Sequence, residues 1–482
     1  MPTEGSIFSG IFKYSISSWI NIVVGFLSVI ITTRILTPEV YGLTTLFLSS
    51  SSLVMYVLMM GLDGAYIRFY NEPPSGNTKN QLLFKIICYS LLFSTLIGII
   101  VTFWGGESFS QYVLGFSSRV IIGVLFIHAI SQIILRFFNI SFRMSFRTRQ
   151  YTIQNVLMNC LSRILLICAA LIHNNVTFIV SFLTIGTFIT TIVYAFIQRR
   201  EYTPIDTNGN INYSLSLQGY GDYLKFALFS APTYIVAYFN QYYSQQLIRS
   251  IVGAYALGIF SSSGIFGTLL MALKGGFATY WSAYVYKNHE TEKERIVKMH
   301  NYVLLFAILI LSIVIALRDV IYLFIGSQYH ESKVFFSLLL SLPILTFVQE
   351  TTDKGIAIAK KNHITLTAHV ISVLINIVGC LVLIPKFGLM GAAVANLLAA
   401  IGLYILTTVW GQRYYKSISS TGKSIFGLII LLLLMAFPAI VYDIKWIIAF
   451  IFIIDTLSII VFKESFKHIA SVVFNIIRSK KL

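Results

Sequence analysis

Long apolar runs separated by short polar connections extend along the whole chain. The first run, from Ile16 to Thr33, contains no charged residue. A helix that rises about 1.5 Å per residue over such a run covers most of the roughly 30 Å hydrocarbon core of a bilayer. The pattern predicts about fourteen transmembrane helices, at approximately residues 12–33, 43–66, 82–104, 119–141, 151–172, 176–197, 224–248, 254–273, 301–317, 334–358, 364–384, 388–410, 424–442 and 446–462.

The connections between the runs are too short to hold a further domain. The first, R-I-L-T-P-E-V-Y-G from Arg34 to Gly42, contains a proline that donates no backbone hydrogen bond and a glycine that allows unusual backbone angles. It therefore predicts a compact reversal between two helices. Even the longest connections, around residues 199–222 and 287–300, are below the size of an independently folding core. We predict an all-α integral membrane protein.

The basic residues alternate in density from one connection to the next. With the N-terminus placed in the cytoplasm, 27 of the 35 Lys and Arg fall on the cytoplasmic side and 7 on the opposite side, while Arg163 lies within a span. Basic residues accumulate on the cytoplasmic side of membrane proteins. This distribution predicts an even number of spans and places both termini in the cytoplasm.

Two weak echoes in the sequence indicate an internal repeat. The hinge from Arg34 to Gly42 resembles R-S-I-V-G-A-Y-A-L-G from Arg249 to Gly258, with the closing glycines 216 positions apart, and a second pair of segments is displaced by about 212. Halves of six helices each enter the membrane from the same side, so we predict two six-helix lobes related as parallel repeats, followed by two appended helices. The predicted boundaries are 1–222 for the first lobe, 223–415 for the second, and 416–482 for the last two helices and a cytoplasmic tail.

The composition agrees with a membrane protein and excludes other classes. Hydrophobic residues make up 57% of the 482 residues and charged residues only 11%, which is too few for a soluble surface. The net charge of +17 is accounted for by the cytoplasmic connections, so we expect no nucleic-acid partner. All four cysteines lie in apolar runs, and the run S-I-S-S-T-G-K-S lacks the first glycine of a phosphate-binding loop. We expect no catalytic residue, no metal and no bound cofactor.

Four segments of the chain carry a combination of short motifs: R-I-L-T-P-E-V-Y-G at Arg34, G-L-D-G-A-Y-I-R-F-Y at Gly61, Y-A-L-G at Tyr255, and L-I-P-K-F-G-L-M-G-A-A-V-A-N at Leu383. In this order they resemble the polysaccharide flippases of the multidrug/oligosaccharidyl-lipid/polysaccharide exporter superfamily, over essentially the whole chain. The resemblance implies a bacterial inner-membrane protein that moves an undecaprenyl-diphosphate-linked oligosaccharide to the periplasmic leaflet for O-antigen, capsule or a related polymer. It also implies alternating access to a cavity with a cationic lining. We expect a monomer that works beside the polysaccharide polymerase, with a proton or sodium gradient as the candidate energy source.

Six basic side chains are candidate contacts for the diphosphate, and each also has a structural explanation. Arg163 lies deep in an apolar run, where a charge is costly unless it faces protein, water or a partner, although an arginine that snorkels to the headgroups has the same pattern. Arg34 and Arg249 end the first helix of each predicted repeat, as interfacial arginines or as two sides of one cleft. Arg136 and Lys225 lie near cytoplasmic ends of spans, where basic residues otherwise set the topology.

The sixth basic candidate is Arg68, which lies five positions after Asp63, on a neighbouring helix face. These two predict a structural ion pair or a contact at a gate. Asp63 is also a candidate for gating or ion coupling, together with His128, His369 and Asp455, which lie inside apolar runs. A hydrogen-bonded structural role is the alternative for each of them.

Two other functions remain open from the sequence. A polysaccharide polymerase or glycosyltransferase would be expected to carry a large external loop or a carboxylate cluster, whereas the acidic residues on the external side are widely spread. A drug antiporter of the same superfamily would be expected to place acidic residues deep in its lobes, where this chain has a basic excess. We therefore favour an anionic cargo and a flippase.

Overall fold

The computed structural model describes residues 23–74, 76–206, 209–216, 219–468 and 470–471. Its regular structure is helical, and the β structure in these residues amounts to one antiparallel bridge, between Ile205 and Ile211. Contacts divide the chain into two compact units. The central unit is Ile35–Gly258, and the split unit combines Met1–Arg34 with Ile259–Leu482.

The helices follow one another with few long connections. Helix α1 is Val23–Ile35, and it belongs to the split unit as far as Arg34. The central unit then contains α2 (Pro38–Met59), α3 (Leu62–Phe69), α4 (Lys79–Leu114), α5 (Arg119–Met144), α6 (Thr148–Ile172), α7 (Val176–Ile197), α8 (Arg199–Tyr202), α9 (Gly221–Ile251) and the start of α10 (Ala254–Asn288). The split unit continues with α11 (Lys293–Ala316), α12 (Arg318–Tyr322), a 3-10 helix (Ser327–Val334), α13 (Phe336–Leu339), α14 (Ser341–Gln349), α15 (Lys354–Ile358), α16 (Asn362–Tyr414), α17 (Thr421–Ile440) and α18 (Ile444–Val461).

A helix lies at every predicted apolar run that falls within the described residues, whereas residues 12–22 of the first run lie outside them. In the described part of the chain, nine helices are long and apolar enough to cross a membrane. The number is ten if the bent pair Ser327–Val334 and Phe336–Gln349 is one span. The all-helical, multi-spanning fold class is therefore confirmed. The total of fourteen spans and the cytoplasmic termini stay predictions.

Helix α16 contains two of the predicted runs in one continuous segment of 53 residues. Gly388 interrupts it with non-helical angles, φ 56° and ψ −134°. On either side of Gly388 the two halves lie side by side, because the Ser372 hydroxyl donates to the Ala399 carbonyl at 2.9 Å and a Cβ at Gly379 would lie 2.9 Å from the Cβ of Ala395. The segment is a helical hairpin, as the separate runs 364–384 and 388–410 predict.

The boundaries of the compact units differ from those of the predicted lobes. Helix α9 belongs to the central unit because it packs on the break between α2 and α3, where Met60 and Gly61 both have positive φ. The Tyr223 hydroxyl donates to the Leu62 carbonyl at 2.8 Å, and a Cβ at Gly61 would lie only 2.2 Å from the Ala227 carbonyl oxygen. As compact units the chain divides after Arg34 and after Gly258. The lobe boundaries at residues 222 and 415 stay a prediction. The repeat itself is a relation in sequence and stays a prediction.

The glycines that close the two similar hinges lie against each other inside the central unit. A Cβ at Gly42 would lie 2.6 Å from the Gly258 nitrogen, and a Cβ at Gly258 would lie 1.8 Å from the Pro38 carbonyl oxygen. No side chain fits at either distance, so the approach of α2 to the start of α10 requires glycine at both positions.

Helix α5, which carries His128, Gln132, Arg136 and Asn139, is fixed at its start by local signals. The preceding helix, α4, begins with a capping box between Thr78 and Gln81 and ends at Gly115, whose left-handed angles stop it. Ser118 then caps α5 by accepting a hydrogen bond from the Ile121 amide. These caps set the register in which α5 presents its side chains.

Candidate functional site

A polar cavity of about 510 Å³ lies within the central unit, lined by α2, α5, α6 and α7. We call it the polar cavity. Its lining includes the cations Arg136 and Arg163, the imidazole of His128, the amides Gln132, Asn139, Gln154, Asn155 and Asn159, and the hydroxyls Ser52, Ser162 and Thr187. Among the described residues no carboxylate lines it. Such a combination of cations, amides and hydroxyls is suited to an anion that carries hydrogen-bonding groups.

Two helix faces supply most of this lining. On α5 the lining positions are 128, 132, 135, 136 and 139, and on α6 they are 154, 155, 158, 159, 162, 163 and 166. Steps of three and four residues keep side chains on one face of a helix. Each helix therefore presents a single stripe to the cavity.

Arg136 is held at the cavity by an ion pair with Asp63 of α3. The Arg136 Nε lies 2.8 Å from Asp63 Oδ2, and the guanidinium also lies 5.1 Å from the ring centre of Tyr56. Asp63 is 1% exposed and Arg136 is 31% exposed, so the carboxylate lies behind the arginine and not in the cavity. Asp63 Oδ1 is buried without a hydrogen-bond partner among the described residues. Asp63 and Arg68 do not pair with each other, because Arg68 pairs with Glu72 at 2.9 Å on the surface. Each of the two forms a structural ion pair with another residue, and a role for them at a gate stays a prediction.

Arg163 also lines the polar cavity, and its contacts differ from those of Arg136. It is partly exposed, and no hydrogen bond or ion pair joins it to any residue that the structure describes. Its guanidinium, with five N–H donors, is therefore available to a ligand. Its position in the lining favours the cavity over snorkelling.

His128 lines the same cavity, and its imidazole lies within hydrogen-bonding distance of two neighbouring side chains. Its Nδ1 lies 2.7 Å from the Ser51 hydroxyl and 3.3 Å from the Gln132 amide nitrogen, and the side chain is buried. These contacts agree with the hydrogen-bonded structural role that the sequence left open for His128. The candidate role in ion coupling stays a prediction.

Arg34 and Arg249 make similar contacts, each within its own unit. Arg34 donates from Nε to the Phe324 carbonyl at 3.0 Å, and Arg249 donates from Nη2 to the Tyr112 carbonyl at 3.2 Å. Each arginine thus binds backbone carbonyls near the end of another helix, which is a structural use of the side chain. A shared cationic gate stays a prediction.

The remaining candidates are not part of the polar cavity. Lys225 is exposed near the start of α9. Asp455 accepts a hydrogen bond from the Ser312 hydroxyl at 2.7 Å in the split unit. His369, also in the split unit, makes no hydrogen bond to a described residue. The structure therefore brings together Arg136, Arg163 and His128, with Asp63 behind them.

A set of charges in the split unit was not identified from the sequence. The Lys354 ammonium lies 2.6 Å from Glu350 Oε2 and 3.3 Å from Asp353 Oδ1, and Lys274 lies 3.5 Å from Glu350 Oε1. Burial raises the pKa of the Asp353 carboxyl, and the Lys354 ammonium opposes this rise. With two ammonium groups and two carboxylates the set is neutral. It links α10 to the segment between α14 and α15.

The sequence matches the family model described as polysaccharide biosynthesis protein over residues 7–286, which is more than half of the chain. No match was found among curated protein sequences.

Several solved structures share the fold at low sequence identity. Lipid II flippase MurJ in an inward closed conformation aligns with a TM-score of 0.69 and 18% identity, over 95% of this chain and 99% of that one. An inward-facing multidrug resistance MATE family transporter of the MOP superfamily aligns with a TM-score of 0.57 and 16% identity, over 83% and 94%. A MOP superfamily transporter from Pyrococcus furiosus aligns with a TM-score of 0.54 and 16% identity, over 86% and 96%. The chain therefore has the fold of MOP superfamily transporters, and it belongs to the polysaccharide biosynthesis protein family.

Proposed function

We propose that this protein is a flippase that moves an undecaprenyl-diphosphate-linked oligosaccharide from the cytoplasmic to the periplasmic leaflet of a bacterial inner membrane. The observation that carries the proposal is the polar cavity. In it one arginine makes no hydrogen bond or ion pair to a described residue, a second arginine is ion-paired, and amides and hydroxyls surround both. Family membership and fold support a role in polysaccharide export. The oligosaccharide that the cavity accepts determines whether the finished polymer is O-antigen, capsule or another surface polysaccharide.

The chemistry of the cavity assigns a part of the cargo to each kind of side chain. The planar guanidinium of Arg163 matches two phosphate oxygens at once, and in a site with little water such a contact is stronger than at a surface. The amides on α5 and α6 both donate and accept, as sugar hydroxyls do. The polyprenyl chain stays in the lipid, so the cavity has to hold only the polar part of the molecule.

Alternating access of two lobes would carry the cargo across. In this proposal the charged diphosphate enters the cavity from the cytoplasmic side, and it leaves when the cavity opens to the periplasm. A gradient of protons or sodium, or consumption of the product by the polymerase, would give the direction. A multidrug antiporter is disfavoured because the arginines of the polar cavity repel cationic compounds.

Deleting the gene in its host tests the proposal and identifies the cargo. We expect surface polysaccharide to fall and the lipid-linked oligosaccharide to accumulate in the membrane, where mass spectrometry of extracted lipids gives its glycan. Unchanged lipid-linked intermediates in the deletion strain would contradict a flippase.

Arg163 provides the residue-level test in the same strain. We expect Arg163→Ala to reduce export at least about tenfold, since losing a charged contact costs that much affinity, and Arg163→Lys to keep part of the activity. Arg149→Ala is the matched control, because Arg149 is exposed on the same helix and does not line the cavity. Normal export by Arg163→Ala at equal protein level would remove Arg163 from the site.

A further inference from the structure

A second cavity of the central unit is mostly apolar and lies between α4 and α9, over the break between α2 and α3. Its volume is about 300 Å³, and we call it the apolar slot. Leu58, Ile86, Phe93, Leu224 and Leu228 are among its lining residues. The rim residues Phe93 and Leu228 are 41% and 56% exposed, so the slot opens to the outer surface of the helices. In a bilayer this surface faces lipid chains.

One end of the apolar slot is polar and cationic. Lys85, only 6% exposed, donates from Nζ to Asn77 Oδ1 at 2.7 Å and to the Ser216 carbonyl at 2.8 Å. The same ammonium lies 5.2 Å from the ring centre of Tyr220. An ammonium has three donors, so one N–H of Lys85 remains beyond these two bonds.

Two hydroxyls in the slot are buried without a hydrogen-bond partner among the residues that the structure describes: Ser90 Oγ and the Tyr220 hydroxyl. Both side chains are 1% exposed. Buried polar groups are almost always satisfied, and an unsatisfied one in a lined cavity points to a group that the cavity binds. Here two such hydroxyls accompany a buried cation.

The dimensions and charge of the slot fit one lipid. From Lys85 to Phe93 helix α4 rises about 12 Å, close to the depth of hydrocarbon in one leaflet, which is about 15 Å. Both α4 and α9 begin at the polar end, which the distribution of basic residues predicts to be cytoplasmic. The exposed Lys79, Arg199 and Arg200 lie at the same end, because the Asn80 amide donates to the Arg200 carbonyl at 2.9 Å. Basic pockets between helices on that side suit anionic headgroups.

We propose that the apolar slot binds an anionic phospholipid of the cytoplasmic leaflet. One acyl chain lies along α4 and α9, the phosphate contacts Lys85 and the Tyr220 hydroxyl, and Ser90, deeper along α4, donates to the ester carbonyl. A phospholipid is favoured over the polyprenyl cargo because the slot and the polar cavity share no lining residue. The single diphosphate of a cargo molecule is assigned to the polar cavity, so the slot goes beyond the proposed function.

Lipid binding is measurable on the purified full chain in mild detergent. The probes are palmitoyl-oleoyl phosphatidylglycerol and phosphatidylcholine with the same chains, followed by native mass spectrometry and by the melting temperature. We expect phosphatidylglycerol to be retained and to raise the melting temperature in a concentration-dependent manner, and phosphatidylcholine to do so much less. Equal responses to both lipids would overturn the anionic site. Retention of undecaprenyl phosphate in place of phosphatidylglycerol would also overturn it.

Paired substitutions separate this site from general lipid contact. The variant Ser90→Ala/Tyr220→Phe removes only hydroxyls without partners, so without added lipid it should be as stable as the wild type or more stable. We expect its affinity for phosphatidylglycerol to fall about tenfold or more. The control is Ser94→Ala/Tyr242→Phe. It removes two other buried hydroxyls that have no hydrogen-bond partner in the described part of the chain and lie outside the slot, so it should leave binding unchanged.

A second variant places a larger side chain at the rim of the apolar slot. Leu228→Trp should narrow the slot without disturbing the core, since Leu228 is mostly exposed. We expect this variant to lose bound phosphatidylglycerol in the same native mass spectrometry measurement. Full retention of the lipid by both Leu228→Trp and the double hydroxyl variant would show that the slot is not its site.

Discussion

Arg136 and Asp63 form an ion pair in which the carboxylate is buried and the guanidinium borders the polar cavity. A buried carboxylate without a counter-charge is strongly destabilising, whereas the pair together is close to neutral for stability. The pair therefore holds a cation at the cavity and fixes its orientation from behind. Arg163 has no such carboxylate partner among the described residues, so its N–H donors remain for a ligand.

This difference predicts an asymmetric result when the pair is broken. Arg136→Ala leaves Asp63 buried alone and should lower the free energy of unfolding by about 3 to 5 kcal/mol. The double variant Arg136→Ala/Asp63→Asn should recover a large part of that loss, because an amide in place of the carboxylate carries no charge. Thermal unfolding of the purified variants measures both.

Arg68→Ala is the control for the pair, since Arg68 and Glu72 are both more than half exposed and their pair should contribute less than about 1 kcal/mol. Equal destabilisation by Arg136→Ala with and without Asp63→Asn would contradict the buried pair.

Residues differ in how far the sequence alone predicts them. Arg163 was identifiable because a charge in a long apolar run requires a reason. The partner of Asp63 was not, because Arg136 is 73 positions away and only the fold brings them together. The amides of α6 could have been predicted from the sequence, because Asn155, Asn159 and Arg163 recur at intervals of four and so share one helix face.

At the scale of helices, the ends were predictable wherever a capping residue, proline or glycine marks them. Helix α4 was predicted at 82–104 but extends over Lys79–Leu114, since residues beyond the apolar run continue the helix until Gly115 stops it. Within the run predicted at 334–358, the helical segment Phe336–Gln349 follows the 3-10 helix Ser327–Val334 at a bend of 76°. It ends at Gln349, and the charged segment after it forms a buried ion-pair network in place of a continuous helix. Apolarity predicts where a helix crosses and says little about where it stops.

The glycine contact between α2 and α10 gives a test at this scale. Gly258→Ala should lower the free energy of unfolding by at least about 1 to 3 kcal/mol, because its Cβ would lie 1.8 Å from the Pro38 carbonyl oxygen. Gly105→Ala in α4 is the control, since nothing lies within 4 Å of its Cβ. Alanine favours a helix over glycine, so the control should be neutral or stabilising by up to about 1 kcal/mol. A melting temperature for Gly258→Ala at or above the wild type would show that the two hinges do not need this contact.

At the scale of the whole molecule, the sequence predicts membrane topology from the 27 to 7 distribution of basic residues. It does not predict which helices form a compact unit. Sequence order places α9 after the sixth span, whereas the glycine at 61 lets it pack on α2 and α3 in the central unit. Such packing depends on contacts between distant residues, which periodicity does not reveal.

Topology is testable by labelling single cysteines in intact cells, in a chain whose four native cysteines are replaced. Ser108 is exposed on α4 and is predicted to be periplasmic, and Glu290, whose side chain is 86% exposed, is predicted to be cytoplasmic. A membrane-impermeant maleimide should label Ser108→Cys in intact cells and Glu290→Cys only after lysis. Labelling of both sites, or only of Glu290→Cys, in intact cells would refute the predicted orientation.

The two stripes of side chains that line the polar cavity limit which mutations can change the cargo of such a protein. Its amides and arginines stand on α5 and α6, and none of them on a connection. An insertion or deletion within either helix would rotate every later side chain by roughly 100° per residue and turn the stripe away from the cavity. Substitution of single side chains, such as Asn155 or Asn159, leaves the backbone in place. Relatives that export different glycans should therefore differ at stripe positions while keeping the lengths of these helices.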